Sequence, residues 1–66
     1  MTVFVNGEAC DLPAGTTVAE LAAARGADRR GCAVAVDGAV VPRRQWDQAR
    51  LSDGQRIEIV RAVQGG

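Results

Sequence analysis

The sequence predicts an α+β fold in which one helix lies across a mixed sheet of four to five strands, in the order ββ-α-ββ-β. Three observations predict it. Asn6-Gly7 and Asp37-Gly38 each separate short apolar runs, as the turns of two-residue hairpins do. Between the hairpins, Thr17 to Gly26 carries the start and stop signals of a single helix. A final alternating segment from Arg56 to Val63 supplies a strand that can insert beside the first.

The first strand places Val3 and Val5 on one face and Thr2 and Phe4 on the other. The second, about Glu8 to Leu12, sets Cys10 and Leu12 on a common face and stops at Pro13-Ala14-Gly15. Thr17-Val18-Ala19-Glu20 is a capping box, in which hydroxyl and carboxylate each satisfy a backbone N–H of the other residue. Val18, Leu21, Ala22 and Arg25 follow at helical spacing, Arg25 in the last turn and Gly26 as the C′ residue, for a helix of eight to ten residues. Cys32 to Val36 and Ala39 to Val41 form the second hairpin, which Pro42 ends. Arg43 to Arg50 is polar apart from Trp46 and Ala49, which predicts an irregular helical turn with Trp46 folded back as a lid on the core. Ile57 and Ile59 point inward from the last strand, and Gln64-Gly65-Gly66 trails off it. Residues 1–63 are thus expected to form one domain and 64–66 a flexible tail.

Size and composition narrow the function. A chain of 66 residues buries only about 60% of the surface its unfolded form exposes, so a function on the surface or at a terminus is favoured over an enclosed active site. Eight acidic residues balance eight basic ones, which argues against nucleic acid or an anionic membrane as partner. All the basic residues are arginine, and lysine, histidine and tyrosine are absent. The commonest general base and the Schiff-base amine are therefore missing. Two cysteines, Cys10 and Cys32, are too few for a tetrahedral zinc site or an iron–sulfur cluster within one chain. With Met1 leading directly into a strand pattern and no long apolar run, the expected setting is cytoplasmic, with free, core-facing thiols.

The terminus carries the chemistry. Glycine has no Cβ, so Gly65 and Gly66 can thread a channel too narrow for other residues and leave the terminal carboxylate unhindered. A carboxylate becomes an electrophile once adenylated, can then accept sulfur, and as a thiocarboxylate presents a nucleophilic sulfur on a tether. Two terminal glycines by themselves are weak evidence; joined to this strand order they point to a carrier.

With these pieces in place the sequence resembles the bacterial thiamine-biosynthesis sulfur carriers, a ubiquitin-like β-grasp family. The resemblance spans the whole chain. It rests on Val5-Asn6-Gly7-Glu8, the helix entry from Gly15 to Leu21, and Val41-Pro42-Arg43-Arg44-Gln45-Trp46. Asp53-Gly54, Ile57-Glu58-Ile59 and the closing Gly65-Gly66 complete it. The family often has a second Asp after Asp-Gly, where this chain has Gln55. The resemblance implies a β-grasp fold and a carrier that is a co-substrate, not an enzyme. An E1-like adenylyltransferase using Mg-ATP would activate Gly66, with no cofactor bound to the carrier itself. Sulfur from cysteine, through a cysteine desulfurase, would give the thiocarboxylate, which thiazole synthase would consume. The same tail would serve a molybdopterin synthase subunit, whose chains are generally longer, or a prokaryotic ubiquitin-like modifier. The absence of lysine disfavours self-conjugation into chains.

Beside the tail, Phe4 and Val60 are expected on the open face of the sheet as a docking patch for the activating enzyme. Arg61 and Gln64 are further candidates for partner contact, and Arg56, Arg43 and Arg44 are cations of similar status. An isolated monomer is the simplest expectation.

Overall fold

The computed structural model describes residues 1–61. Thr2–Val5 (β1) and Glu8–Asp11 (β2) pair antiparallel, followed by a helix over Val18–Ala24 (α1), strands Cys32–Val36 (β3) and Ala39–Val40 (β4), and Arg56–Arg61 (β5). The five strands form one mixed sheet in the order β2-β1-β5-β3-β4. The last strand in the chain is the central one in space. It runs parallel to β1, with Phe4 opposite Arg56, and antiparallel to β3, with Cys32 opposite Arg61.

Alternation gives the sheet two unlike faces. Val3, Val5, Val34 and Ile57 are at most 1% exposed and pack with Val18, Leu21 and Ala22 of the helix. Burial of each such side chain is worth roughly 1.5–3 kcal/mol. Trp46 (5% exposed) and Leu51 close this core from the side, and the Trp46 Nε1–H donates to the Val41 carbonyl at 2.9 Å. The expected lid is therefore present.

The helix is seven residues long, shorter than its sequence signals predict. Its start is as expected. Thr17 Oγ1 accepts from the Glu20 N–H at 3.1 Å, and the Thr17 N–H donates to Glu20 Oε1 at 2.9 Å. The N–H groups of Val18 and Ala19 donate to the carbonyls of Ala49 and Trp46, so the first turn leaves no donor unpaired and is docked onto the 46–51 segment. At the other end Gly26, with φ of 67°, allows a Schellman closure: the Ala27 N–H reaches the Ala22 carbonyl and the Gly26 N–H that of Ala23. This closure stops the helix at Ala24, and Arg25 is its C-cap instead of a member of its last turn.

Both hairpin turns have positive φ at Asn6 (50°) and Asp37 (49°), and both side chains fasten the central strand. Asn6 Oδ1 accepts from the Ile59 N–H at 2.9 Å, and Asp37 Oδ1 accepts from the Arg56 N–H at 2.9 Å. Asn6 thereby extends the β1–β5 ladder by one rung after the backbone has turned away. Gln55 closes the preceding turn by accepting from the Ser52 N–H at 2.7 Å. Gln55 is half-buried, and its side chain is part of the turn's structure.

Candidate functional site

The carboxyl-terminal candidates Gln64, Gly65 and Gly66 lie outside the described residues, as does the expected domain boundary at 63. The structure does describe the strand that leads to them. On one side β5 is held by β1 only as far as Ile57, with the Asn6 rung at Ile59. On the other side it is paired with β3 through Arg61. Val60 and Arg61 thus have a paired strand neighbour on one side alone.

Opposite the helix the sheet is open. Phe4 is 39% exposed there and Val60 59%, so both expected residues face solvent from the same side. They are not adjacent. Phe4 lies beside Arg56, and Val60 follows four residues later along β5, about 13 Å at the usual strand rise. Phe4 is therefore level with the start of β5, at the end of that strand remote from Arg61, and not beside Val60 as the expected patch would have it. Between them stand Arg56 and Glu58, while Ala33 sits opposite Val60 on β3. The face has one apolar member that sequence reasoning missed: Val40, 70% exposed on β4 and paired with Ala35. Alternation along Ala39-Val40-Val41, with Val41 half-buried, carried that signal.

The arginines are dispersed. Arg61 is on the helix side of the sheet, opposite Cys32, and its guanidinium donates to the Arg25 carbonyl at 2.7 Å. It is thus not part of the Phe4–Val60 face. Arg56 starts β5 and is at the end remote from the tail. Arg43 stacks 4.4 Å from the centroid of the Trp46 ring and donates to the carbonyls of Asp28 and Arg29. That makes it a brace of the loop between α1 and β3. Arg44, next to it, is exposed.

Cys10 and Cys32 are half-buried free thiols on β2 and β3. Their strands are three positions apart in the sheet, about 14 Å at the usual strand spacing. A disulfide, which needs Cα atoms within about 7 Å, does not fit. Among the described residues no group of three or more His, Cys, Asp or Glu side chains is placed to hold a metal ion. A shallow depression of about 750 Å³ lies between the two hairpin turns, lined by Phe4, Asn6, Asp37, Arg56 and Glu58 among others. Like Phe4, it is at the end of β5 remote from the tail.

A rigid body with an open face, ending in its central strand, suits a protein that is held by partners. Comparison with known proteins decides what kind. The sequence model of the ThiS family matches residues 3–66, which include both terminal glycines. The chain belongs to the ThiS family. It is 35% identical over 66 residues to the sulfur carrier protein ThiS of Escherichia coli K12, each chain being covered completely. The crystal structure of the thiamine biosynthesis protein ThiS from Geobacter metallireducens superposes with a TM-score of 0.83 at 26% identity, again over the whole of both chains. The β-grasp fold expected from the sequence is the fold of this family. A thiazole synthase of Paramagnetospirillum magneticum is also 35% identical over the same 66 residues, which make up 20% of that longer protein. As a member of the ThiS family the chain is a sulfur carrier of thiamine biosynthesis, and a carrier protein rather than an enzyme. No helix among the described residues is long and apolar enough to cross a membrane.

Proposed function

We propose that the carboxylate of Gly66 is the group that carries sulfur, and that the carrier works in the cytoplasm between two partner enzymes. An E1-like adenylyltransferase would join the carboxylate to the AMP moiety of Mg-ATP, releasing pyrophosphate. The outer sulfur of a protein persulfide, formed from cysteine by a desulfurase, would displace AMP, which leaves with one of the original carboxylate oxygens; a thiol would then cleave the S–S bond of the resulting acyl disulfide, being oxidised to a disulfide as the thiocarboxylate is released. The resulting thiocarboxylate would hand its sulfur to thiazole synthase, and Gly66 would return to a carboxylate for another round.

The observation that carries this reading is the match of the ThiS family through the terminal Gly65-Gly66 pair, on a chain whose central strand runs out towards it. Glycine at both positions supports passage into two differently shaped active sites. The likeness to a segment of a thiazole synthase favours that partner over molybdopterin synthase. Docking on the activating enzyme is assigned to the open sheet face, with Phe4 and Val60 as its apolar contacts.

Intact-mass measurement tests the central step. After incubation with the adenylyltransferase, Mg-ATP and a sulfur source, the protein is expected to gain the mass difference between sulfur and oxygen, located at Gly66. Deletion of Gly65 and Gly66 is expected to abolish the gain with no change in the thermal unfolding curve. Sulfur delivery that persists after the deletion would overturn the assignment.

A further inference from the structure

Dispersed with respect to the open face, the arginines nevertheless gather at one end of the sheet. The loop from Arg25 to Gly31 stands at the Arg61 end of β5, because Cys32, which follows it, pairs with Arg61. Two guanidinium groups close on this loop from other elements. Arg61 donates to the Arg25 carbonyl, and Arg43 to those of Asp28 and Arg29. With Arg29 and Arg30 in the loop and Arg44 beside Arg43, six of the eight arginines belong to this end, and all six are exposed. The bonds of Arg43 and Arg61 end on carbonyl oxygens, which hold a guanidinium in place without cancelling its charge as a carboxylate does.

Residues 25–31 and 42–47 together with Arg61 contain six arginines and two carboxylates, Asp28 and Asp47, a formal side-chain charge of +4. The rest of the chain contains two arginines and six carboxylates, a formal side-chain charge of −4. Three of those carboxylates mark the opposite end. Asp37 accepts from the Arg56 N–H, while Asp53 and Asp11 accept from the backbone N–H and the hydroxyl of Thr2, the first residue of the parallel strand β1. From Arg56 to Arg61 a strand rises about 17 Å, roughly two screening lengths at physiological salt. A partner at the Arg61 end therefore meets the arginines, and the zero net charge of the chain conceals two poles. Guanidinium forks pair with carboxylates and with phosphates. Single-stranded nucleic acid is held in addition by stacking on exposed aromatic rings. The two aromatic residues do not supply it here: Trp46 is 5% exposed beneath Arg43, and Phe4 is level with the start of β5.

We propose that the arginine end is a docking surface for a protein partner that presents clustered carboxylates, and that it turns the Arg61 end of β5 towards that partner. The proposal rests on the reading of the chain as a carrier charged by an adenylyltransferase, which is the partner used in the test.

Two measurements on the full chain test it. The first follows association with the adenylyltransferase by stopped flow at about 50 and about 500 mM salt. Arg29→Ala/Arg30→Ala is expected to lower kon about fivefold at the lower salt with koff within about twofold, and to match the parent at the higher. Arg50→Glu makes the same change in net charge outside the cluster and is expected to lower kon less than about twofold. Equal losses in the two variants would reduce the effect to net charge and overturn the proposal. An unchanged kon in the double variant would overturn it too, and loss of thymidine-oligonucleotide binding alongside would make this end a phosphate surface instead. The second measurement, a ¹H–¹⁵N titration of the isolated protein with polyglutamate, needs no partner. Shifts are expected at residues 25–31, 44 and 61 and not at 11, 37 or 53; shifts spread over both ends would overturn the assignment. Absence of any association between the parent protein and the adenylyltransferase would refute the reading of its partner, while the titration still decides whether this end takes carboxylates.

Discussion

Arg43 shows how one side chain can have a role that its sequence context does not disclose. Following Pro42, it reads as a surface cation, yet its guanidinium lies over Trp46 and binds the carbonyls of Asp28 and Arg29. It therefore links the core lid to the loop that precedes β3. Arg43→Ala removes an exposed cation–π contact worth about 0.5–1 kcal/mol together with these hydrogen bonds. A loss of about 1 kcal/mol is expected, read as a fall in Tm of about 4–8 °C for a domain of this size. Arg43→Lys should recover only part of it, because an ammonium does not reproduce the planar fork and the stacking. What was legible at this scale were residues whose roles follow from local chemistry: Thr17 and Glu20 as a cap, and Trp46 as a lid. Arg43 and Arg61 were not legible, since each acts on a carbonyl distant in sequence that only the fold brings near.

At the scale of elements, the turn dipeptides were read correctly and incompletely. Asn6 and Asp37 were expected as the first residues of hairpin turns; the structure adds that each uses its side chain to hold β5. The two functions of Asn6 separate experimentally. Asn6→Gly keeps the turn at no steric cost but loses the acceptor for the Ile59 N–H. It is expected to lower the unfolding free energy by about 1 kcal/mol, seen as a lower urea midpoint at unchanged slope. A change no larger than the measurement error would show that the side-chain rung contributes nothing. The helix was placed correctly but made too long, because 3.6-residue spacing continues through Arg25 whereas the Schellman closure, a matter of backbone geometry at Gly26, ends it at Ala24.

For the whole molecule, the placement of β5 beside β1 was accessible from the alternation of hairpin, helix, hairpin and final strand, and it came out as expected; that β3 takes the other side of β5 was not part of the expectation. Distance along the open face was not accessible, because facing the same way says nothing about where on the strand a residue stands. Phe4 and Val60 share the face and are about 13 Å apart. Contacts at that separation contribute independently. Phe4→Ala and Val60→Ala are each expected to raise the KM of the activating enzyme for this carrier about fivefold, near 1 kcal/mol apiece. The double variant should show the sum to within about 0.5 kcal/mol. A larger coupling would mean that both residues enter one pocket of the partner.

The central position of the last strand has a further consequence, for how the protein comes to be usable. β5 finds its place only between β1 and β3, and its edges are fastened by side chains from both hairpin turns. Such contacts join distant parts of the chain, so the loops between them must close for these contacts to form. Without β5 the two hairpins share no strand pairing, so the sheet is complete only when this strand is in place. An unfinished or partly unfolded copy would lack the sheet face proposed for docking, so on that proposal completion of the fold and readiness to be charged are reached together.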